Sequence, residues 1–269
     1  MEQWFFTRDE LQSTPTITQD GISVAEEQRM RSQGCSFIQA IGCRLAVPQI
    51  TVATAIVYFH RFYMRCSFSE YGMEHVSGAC IYLACKVEES SRKVSDVTMA
   101  CLMTRYHKIN EDEKQKLYQT WRSAILWYER YLLEILCFDM TIDHPHQLLL
   151  EFGSELDAPE KVIQSAYGFA NDSLRRPLCL IYDPQMIAAA CILLGYRAVN
   201  EDIPTSTDTI WGKTLDQESD LLSEIVGDIA SVYTETYVLV NENKIIRAYI
   251  LVKVSIIIII TINGHILFY

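Results

Sequence analysis

Basic residues are scarce in this sequence: 23 Lys and Arg stand against 34 Asp and Glu, a formal net charge of −11 over 269 residues. There is no long Lys/Arg run. Gripping a phosphate backbone needs a basic face, so direct nucleic-acid binding is not expected as the main activity. Paired cysteines are also missing: the nine Cys are an odd number and include no C-x-x-C. That speaks against a disulfide framework or a cysteine zinc site. Most of them lie in apolar helical patterns, where free Cys packs as a small hydrophobe, and this reads as a reducing compartment, cytosol or nucleus. No G-x-x-x-x-G-K, H-E-x-x-H or G-x-S-x-G occurs, and no cofactor is expected. The opening MEQWFFTRDEL has no basic and no apolar signal region and is not a secretory signal. Sustained period-two alternation is absent, which leaves helices.

What is present is apolar: hydrophobic content of 49% excludes a wholly disordered chain. The length suits one large domain or two ordinary ones. Residues 76–89 read VSGACIYLACKVEE. Val76, Ala79, Cys80, Leu83, Ala84 and Val87 form one helical stripe, while Ile81, Tyr82 and Cys85 fill the other sides. A helix apolar all round is buried, and this one is too short and too charged at one end to cross a bilayer. It reads as the central helix of a helical domain, with Lys86 where it emerges at the surface.

Thr7 and Glu10 form a capping-box pattern for a short helix, and Pro15 to Gly21 reads as a linker. Helices are expected near 24–45, 49–65, 76–89, 94–106 and 113–137, with Pro48 breaking the first from the second. The pattern then returns at a fixed offset of 111 residues: Ala79 to Lys86 overlies Ala190 to Arg197, and helix 54–66 overlies 165–177. Such a repeat means two stacked copies of one helical domain. The join falls at Asp143-His144-Pro145, with Asp143 as an N-cap. The expected divisions are an N-terminal helix and linker (1–21), a first repeat (22–140), a second (141–240) and an Ile-rich tail (241–269). The tail's uncharged run from Val254 to Ile262 is far short of a spanning helix. It reads as a segment outside the fold, such as translated intron, and no membrane partner is expected.

His144-Pro145-His146 lacks the further ligands a metal site needs and reads as linker. Arg175-Arg176 reads as solvated surface. The aromatics of the fifth helix read as core.

The chain resembles the cyclin family on QWFFTRDEL, AIVYFHRFYM, ACIYLACKVEE, WYERYLLEILCFDM and IDHPH, over about residues 3–240. HRFYM, KVEE and DHPH look like the transcriptional cyclins, types K and T. EEQRMRSQGCSFIQAIGCRL and FANDSL lean towards type K, and TIDHPH suits type T as well. The resemblance implies an all-α fold of two tandem five-helix cyclin-box repeats after a short N-terminal helix.

It further implies a nuclear regulatory subunit with no catalysis of its own, which forms a heterodimer with a transcriptional cyclin-dependent kinase and activates it. RNA polymerase II C-terminal-domain phosphorylation and transcription elongation are the processes implied. The kinase-facing residues matched are Lys86, its partner Glu129, and Glu89 of KVEE. Ala79 and Ala190, equivalent in the two repeats, are expected where helices cross closely. Arg31 matches a residue that pairs with an aspartate in cell-cycle cyclins. His60 replaces that aspartate here, which puts the ion pair in question. The apolar substrate-docking patch of cell-cycle cyclins is altered, with Gln33 and Gly34 beside Met30 and Phe37. Two other readings stand beside this one: a TFIIB-like general transcription factor, disfavoured by the charge, and a membrane-tethered scaffold using the tail.

Overall fold

A computed structural model describes residues 2–106, 110–204 and 219–235. Among the described residues every regular element is helical. A 3-10 turn at Glu2–Trp4 precedes α1 (Arg8–Leu11) and α2 (Pro15–Thr18). There follow α3 (Val24–Leu45), α4 (Gln49–Arg65), α5 (Met73–Val87), α6 (Val94–Arg105) and α7 (Glu111–Ile135). Then come α8 (Pro145–Glu155), α9 (Glu160–Ser173), a 3-10 turn at Pro177–Leu180, α10 (Pro184–Val199) and α11 (Ser219–Glu235). The Ile-rich segment 241–269 lies outside the described residues.

The chain divides into two compact units. Among the described residues, the first is 2–106 and 110–142 with the returning segment 174–181, and the second is 143–173 with 182–204 and 219–235. The 111-residue repeat recurs in the element starts: α4 begins at Gln49 and α9 at Glu160, α5 at Met73 and α10 at Pro184.

Local chemistry sets the ends. The Thr7 hydroxyl caps Glu10 N–H while the Glu10 carboxylate accepts from Thr7 N–H, a complete capping box. Ser23 caps α3, Asn110 caps α7 and Asp183 caps α10 through their side chains. The N-cap of α8 is His144 rather than Asp143, because Pro145 occupies the first helical position, where its missing N–H is not needed.

In the first unit α5 lies among α3, α4, α6 and α7. It is buried on all sides from Val76 to Cys85 except at Tyr82, which is half-buried. Small residues allow this crowding: a Cβ on Gly78 would come 3.0 Å from Cys101 Sγ and 3.3 Å from Ile125 Cγ1. In the second unit α10 packs against α8, α9 and α11. There a Cβ on Gly195 would stand 2.7 Å from the Val162 carbonyl. Ala79 and Ala190 are both fully buried.

The stretch read as a linker is not loose. Pro15 opens a one-turn helix, Thr16 is buried, and its hydroxyl accepts from Phe68 N–H at 3.2 Å. Asp20 accepts a hydrogen bond from the Ser67 hydroxyl. Side-chain hydroxyls, which leave no periodic trace, tie the stretch to the residues after α4, and Thr14 just before it to Glu27 of α3.

Candidate partner-binding surface

The end of α5 and the middle of α7 bring Lys86 and Glu129 together, Nζ to Oε1 at 2.5 Å. The two are unequally solvated: the Lys86 side chain is 45% exposed and that of Glu129 only 11%. The Lys86 ammonium also lies 4.2 Å from the centre of the Tyr82 ring, a cation–π contact. Partial burial pulls the Lys86 pKa down, but the hydrogen bond and charge of Glu129, with Tyr82, outweigh it and leave the pKa above its usual value. Lysine has three N–H donors, so the pair leaves donors over for a partner's carbonyl groups.

The two glutamates after Val87 differ. Glu88 accepts from the Thr54 hydroxyl at 2.7 Å and works inside the unit. Glu89 is exposed and its backbone is left-handed, φ 51°.

Sequence reasoning missed Phe138, which is 70% exposed, the most open large hydrophobic among the described residues. Leu133 lies one helical turn beyond Glu129 on α7, and the Phe138 N–H donates to the Leu133 carbonyl at 3.0 Å. Of the three, Glu129 is buried, Leu133 is half-buried and Phe138 alone is exposed. Both Cys137 and Phe138 are left-handed, with φ 53° and 57°. That conformation is uncommon without glycine and persists only where the surroundings impose it.

The surroundings here do so. Arg65 donates to the Ile135 carbonyl at 2.7 Å, Arg61 to the Asp139 carbonyl at 3.2 Å, and the Tyr58 hydroxyl to the Met140 carbonyl at 2.7 Å. The Asp139 carboxylate accepts from the Trp4 indole at 3.1 Å. Trp4, 2% exposed, lies 4.9 Å from the Arg61 guanidinium and 4.3 Å from that of Arg65. Trp4 thus clamps the loop that carries Phe138.

Arg31 has an acidic partner, but on its own helix. Its guanidinium meets the Glu27 carboxylate at 2.7 Å, with both side chains 2% exposed. The other donors go to the carbonyls of His60 at 3.1 Å and Tyr63 at 2.9 Å. Thr14 adds a hydroxyl bond to the far oxygen of Glu27. His60 holds no charge in this network. Burial, then the Arg31 charge, press its pKa down to about 3, against the opposing pull of the Leu174 carbonyl 2.9 Å from Nε2.

Of the fifth-helix aromatics read as core, Trp121 is buried but Trp127 is 55% exposed. Gly34 is packed under Phe59, whose Cζ would stand 2.1 Å from a Cβ at that position, so no apolar side chain fits there. Gln33 is exposed, and Met30 and Phe37 are half-buried. Arg175 and Arg176 are half-buried rather than solvated, and Arg175 donates to Ser32 Oγ at 3.4 Å. His146 is buried and pairs with Asn171 at 2.9 Å. No group of three or more His, Cys, Asp or Glu is placed for a metal ion among the described residues. No helix among them is long and apolar enough to cross a membrane.

Residues 3–141 match the family model described as the cyclin N-terminal domain, and residues 144–232 the Cyclin-T2-like C-terminal domain. Cyclin pch1 of Schizosaccharomyces pombe is 38% identical, covering 90% of this chain and 71% of its own length. Cyclin-T1-3 of Oryza sativa subsp. japonica is 32% identical, covering 87% and 49%. Cyclin-T2 of Homo sapiens is 36% identical, covering 87% and 33%. The chain thus spans half or less of the rice and human relatives. Among solved structures, one of the yeast RNA Pol II CTD kinase CTDK-1 complex matches with a TM-score of 0.70 at 20% identity, over 87% of this chain and 74% of that one. The yeast TFIIK complex gives 0.61 at 21% identity, over 86% and 96%. Similarity at that level of identity speaks to the fold.

Proposed function

This chain belongs to the cyclin family, among its transcriptional members, and on that premise we propose that it is a non-catalytic regulatory subunit that binds and activates a transcriptional cyclin-dependent kinase. The observation that carries the reading is the Lys86–Glu129 pair, 2.5 Å apart with the Lys86 side chain 45% exposed. In a protein kinase the β3 lysine must reach a glutamate on the αC helix before phosphoryl transfer proceeds. A partner that binds only the state with αC docked shifts the population by its differential affinity. The Lys86 ammonium would take carbonyls beside that helix, Glu129 would accept N–H groups, and Phe138 would fill an apolar recess. The cyclin names of the relatives, and the RNA Pol II CTD kinase complex among the structural neighbours, support RNA polymerase II C-terminal-domain phosphorylation as the process and the nucleus as the place. Titrating the chain into a recombinant transcriptional kinase, with a C-terminal-domain peptide as substrate, tests the reading.

The division of labour is testable by overpacking. Ala79→Leu and Ala190→Leu each should cost roughly 1–3 kcal/mol, because neither site has room for a larger side chain. Ala79→Leu should also weaken kinase binding, since it spreads the helices that carry Lys86 and Glu129. Ala190→Leu should spare it. Urea melts beside a kinase-binding assay run well below the melting point check this. Equal loss of affinity by both folded variants would remove the interface from the first unit.

A further inference from the structure

Arg92 makes four hydrogen bonds to carbonyl groups on two separate pieces of chain. It reaches Leu45 at 3.1 Å and Ala46 at 3.1 Å, at the end of α3, and Ser90 at 3.0 Å and Ser91 at 3.2 Å, just past α5. Two more ties hold the same loop: Ser90 Oγ lies 2.9 Å from Thr51 Oγ1, and Thr54 holds Glu88 at 2.7 Å. Inside this frame sits Glu89, left-handed and exposed. A glycine would make that turn without a steric cost. The position carries a carboxylate instead, and the inward bond is made by its neighbour Glu88. A rigid frame around a strained, outward-facing acid fits a surface organised before its partner arrives.

We propose that Arg92 is a positioning residue for kinase docking, stapling the loop after α5 to the end of α3 so that Glu89 is presented to a basic group on the kinase. The inference rests on the kinase-binding reading above and adds a residue to it. Planar guanidinium geometry is what allows one side chain to serve four carbonyls, and lysine cannot copy that fork.

The test is a double-mutant cycle on the full chain, read as affinity for a recombinant transcriptional cyclin-dependent kinase, with thermal melts alongside. Arg92→Ala should weaken binding about tenfold, and Glu89→Ala by a similar factor. The double variant should bind no worse than either single one, because Arg92 acts through Glu89. Arg92→Lys should fall between wild type and Arg92→Ala, and it keeps the test open if the alanine variant folds poorly. Losses that multiply in the double variant would show that Arg92 acts elsewhere and overturn the proposal. So would a Glu89→Ala variant that binds like wild type. If Lys86→Ala with Glu129→Ala also binds like wild type, the underlying kinase reading fails along with it. If that pair loses affinity while Glu89→Ala does not, only the Arg92 proposal falls.

Discussion

Glu27→Ala should lower the stability of the first unit by about 3–5 kcal/mol, the usual cost of stripping one partner from a buried ion pair. Both side chains of the Glu27–Arg31 pair are 2% exposed. The guanidinium would keep its bonds to the carbonyls of His60 and Tyr63 but lose the only negative charge described against it. Folded domains have about 5–15 kcal/mol in hand, so the loss is large. Thr14 would lose its acceptor too, loosening the strap through Pro15. The same helix supplies its own control. Glu26 and Arg29 meet at 2.5 Å but are 43% and 51% exposed, so Glu26→Ala should leave the melting curve where it is. Glu27→Gln, which keeps shape and an acceptor but not the charge, should fall between the two. Thermal melts of the three variants decide the matter, and equal effects of Glu27→Ala and Glu26→Ala would contradict the burial argument.

Phe138→Gly should move stability and kinase binding in opposite directions. The ring is 70% exposed, so its removal takes little from the core. Glycine adopts φ 57° freely, whereas an L side chain there costs roughly 1–2 kcal/mol, so the fold should gain or stay level. Binding should suffer. An exposed aromatic on a loop held by Tyr58, Arg61 and Arg65 has the character of an interface anchor, whose truncation costs about 2 kcal/mol or more. That corresponds to a loss of roughly thirtyfold in affinity. Phe138→Ala, which keeps a side chain in the strained conformation, should lose binding equally without the gain in stability. The pair of variants thus separates the backbone from the ring. Undiminished affinity in Phe138→Gly would show that the loop beyond Leu133 does not meet the kinase.

The fold was largely legible because its signals are local and repeated. Pro48 divides α3 from α4 as expected, and the 111-residue offset survives in the starts of α9 and α10. The pairing of Lys86 with Glu129 was legible only through the cyclin resemblance, since a lone cation at a helix end has a simpler explanation in the helix dipole. What stayed hidden depends on burial or on backbone handedness. Glu26, Glu27, Arg29 and Arg31 read as one charged stretch, and nothing in the letters says that Glu27 and Arg31 are inside while their neighbours are out. Pro15 to Gly21 has the composition of a linker, yet threonine and serine hydroxyls dock it. Phe138 follows the last turn of α7, where the 3.6-residue period has ended, and no glycine marks the left-handed pair. Arg92 gave no signal, because its four partners are backbone carbonyls.

The most direct test of the kinase-binding account is the affinity of Lys86→Ala with Glu129→Ala for a recombinant transcriptional cyclin-dependent kinase, measured with activation on a C-terminal-domain peptide. Lys86 is 45% exposed and Glu129 only 11%, but removing both together strands no buried charge, so the variant should remain folded and helical. The account predicts binding at least about tenfold weaker than wild type, with activation recovered only at correspondingly higher concentration. A folded double variant that binds and activates the kinase as wild type does would contradict it.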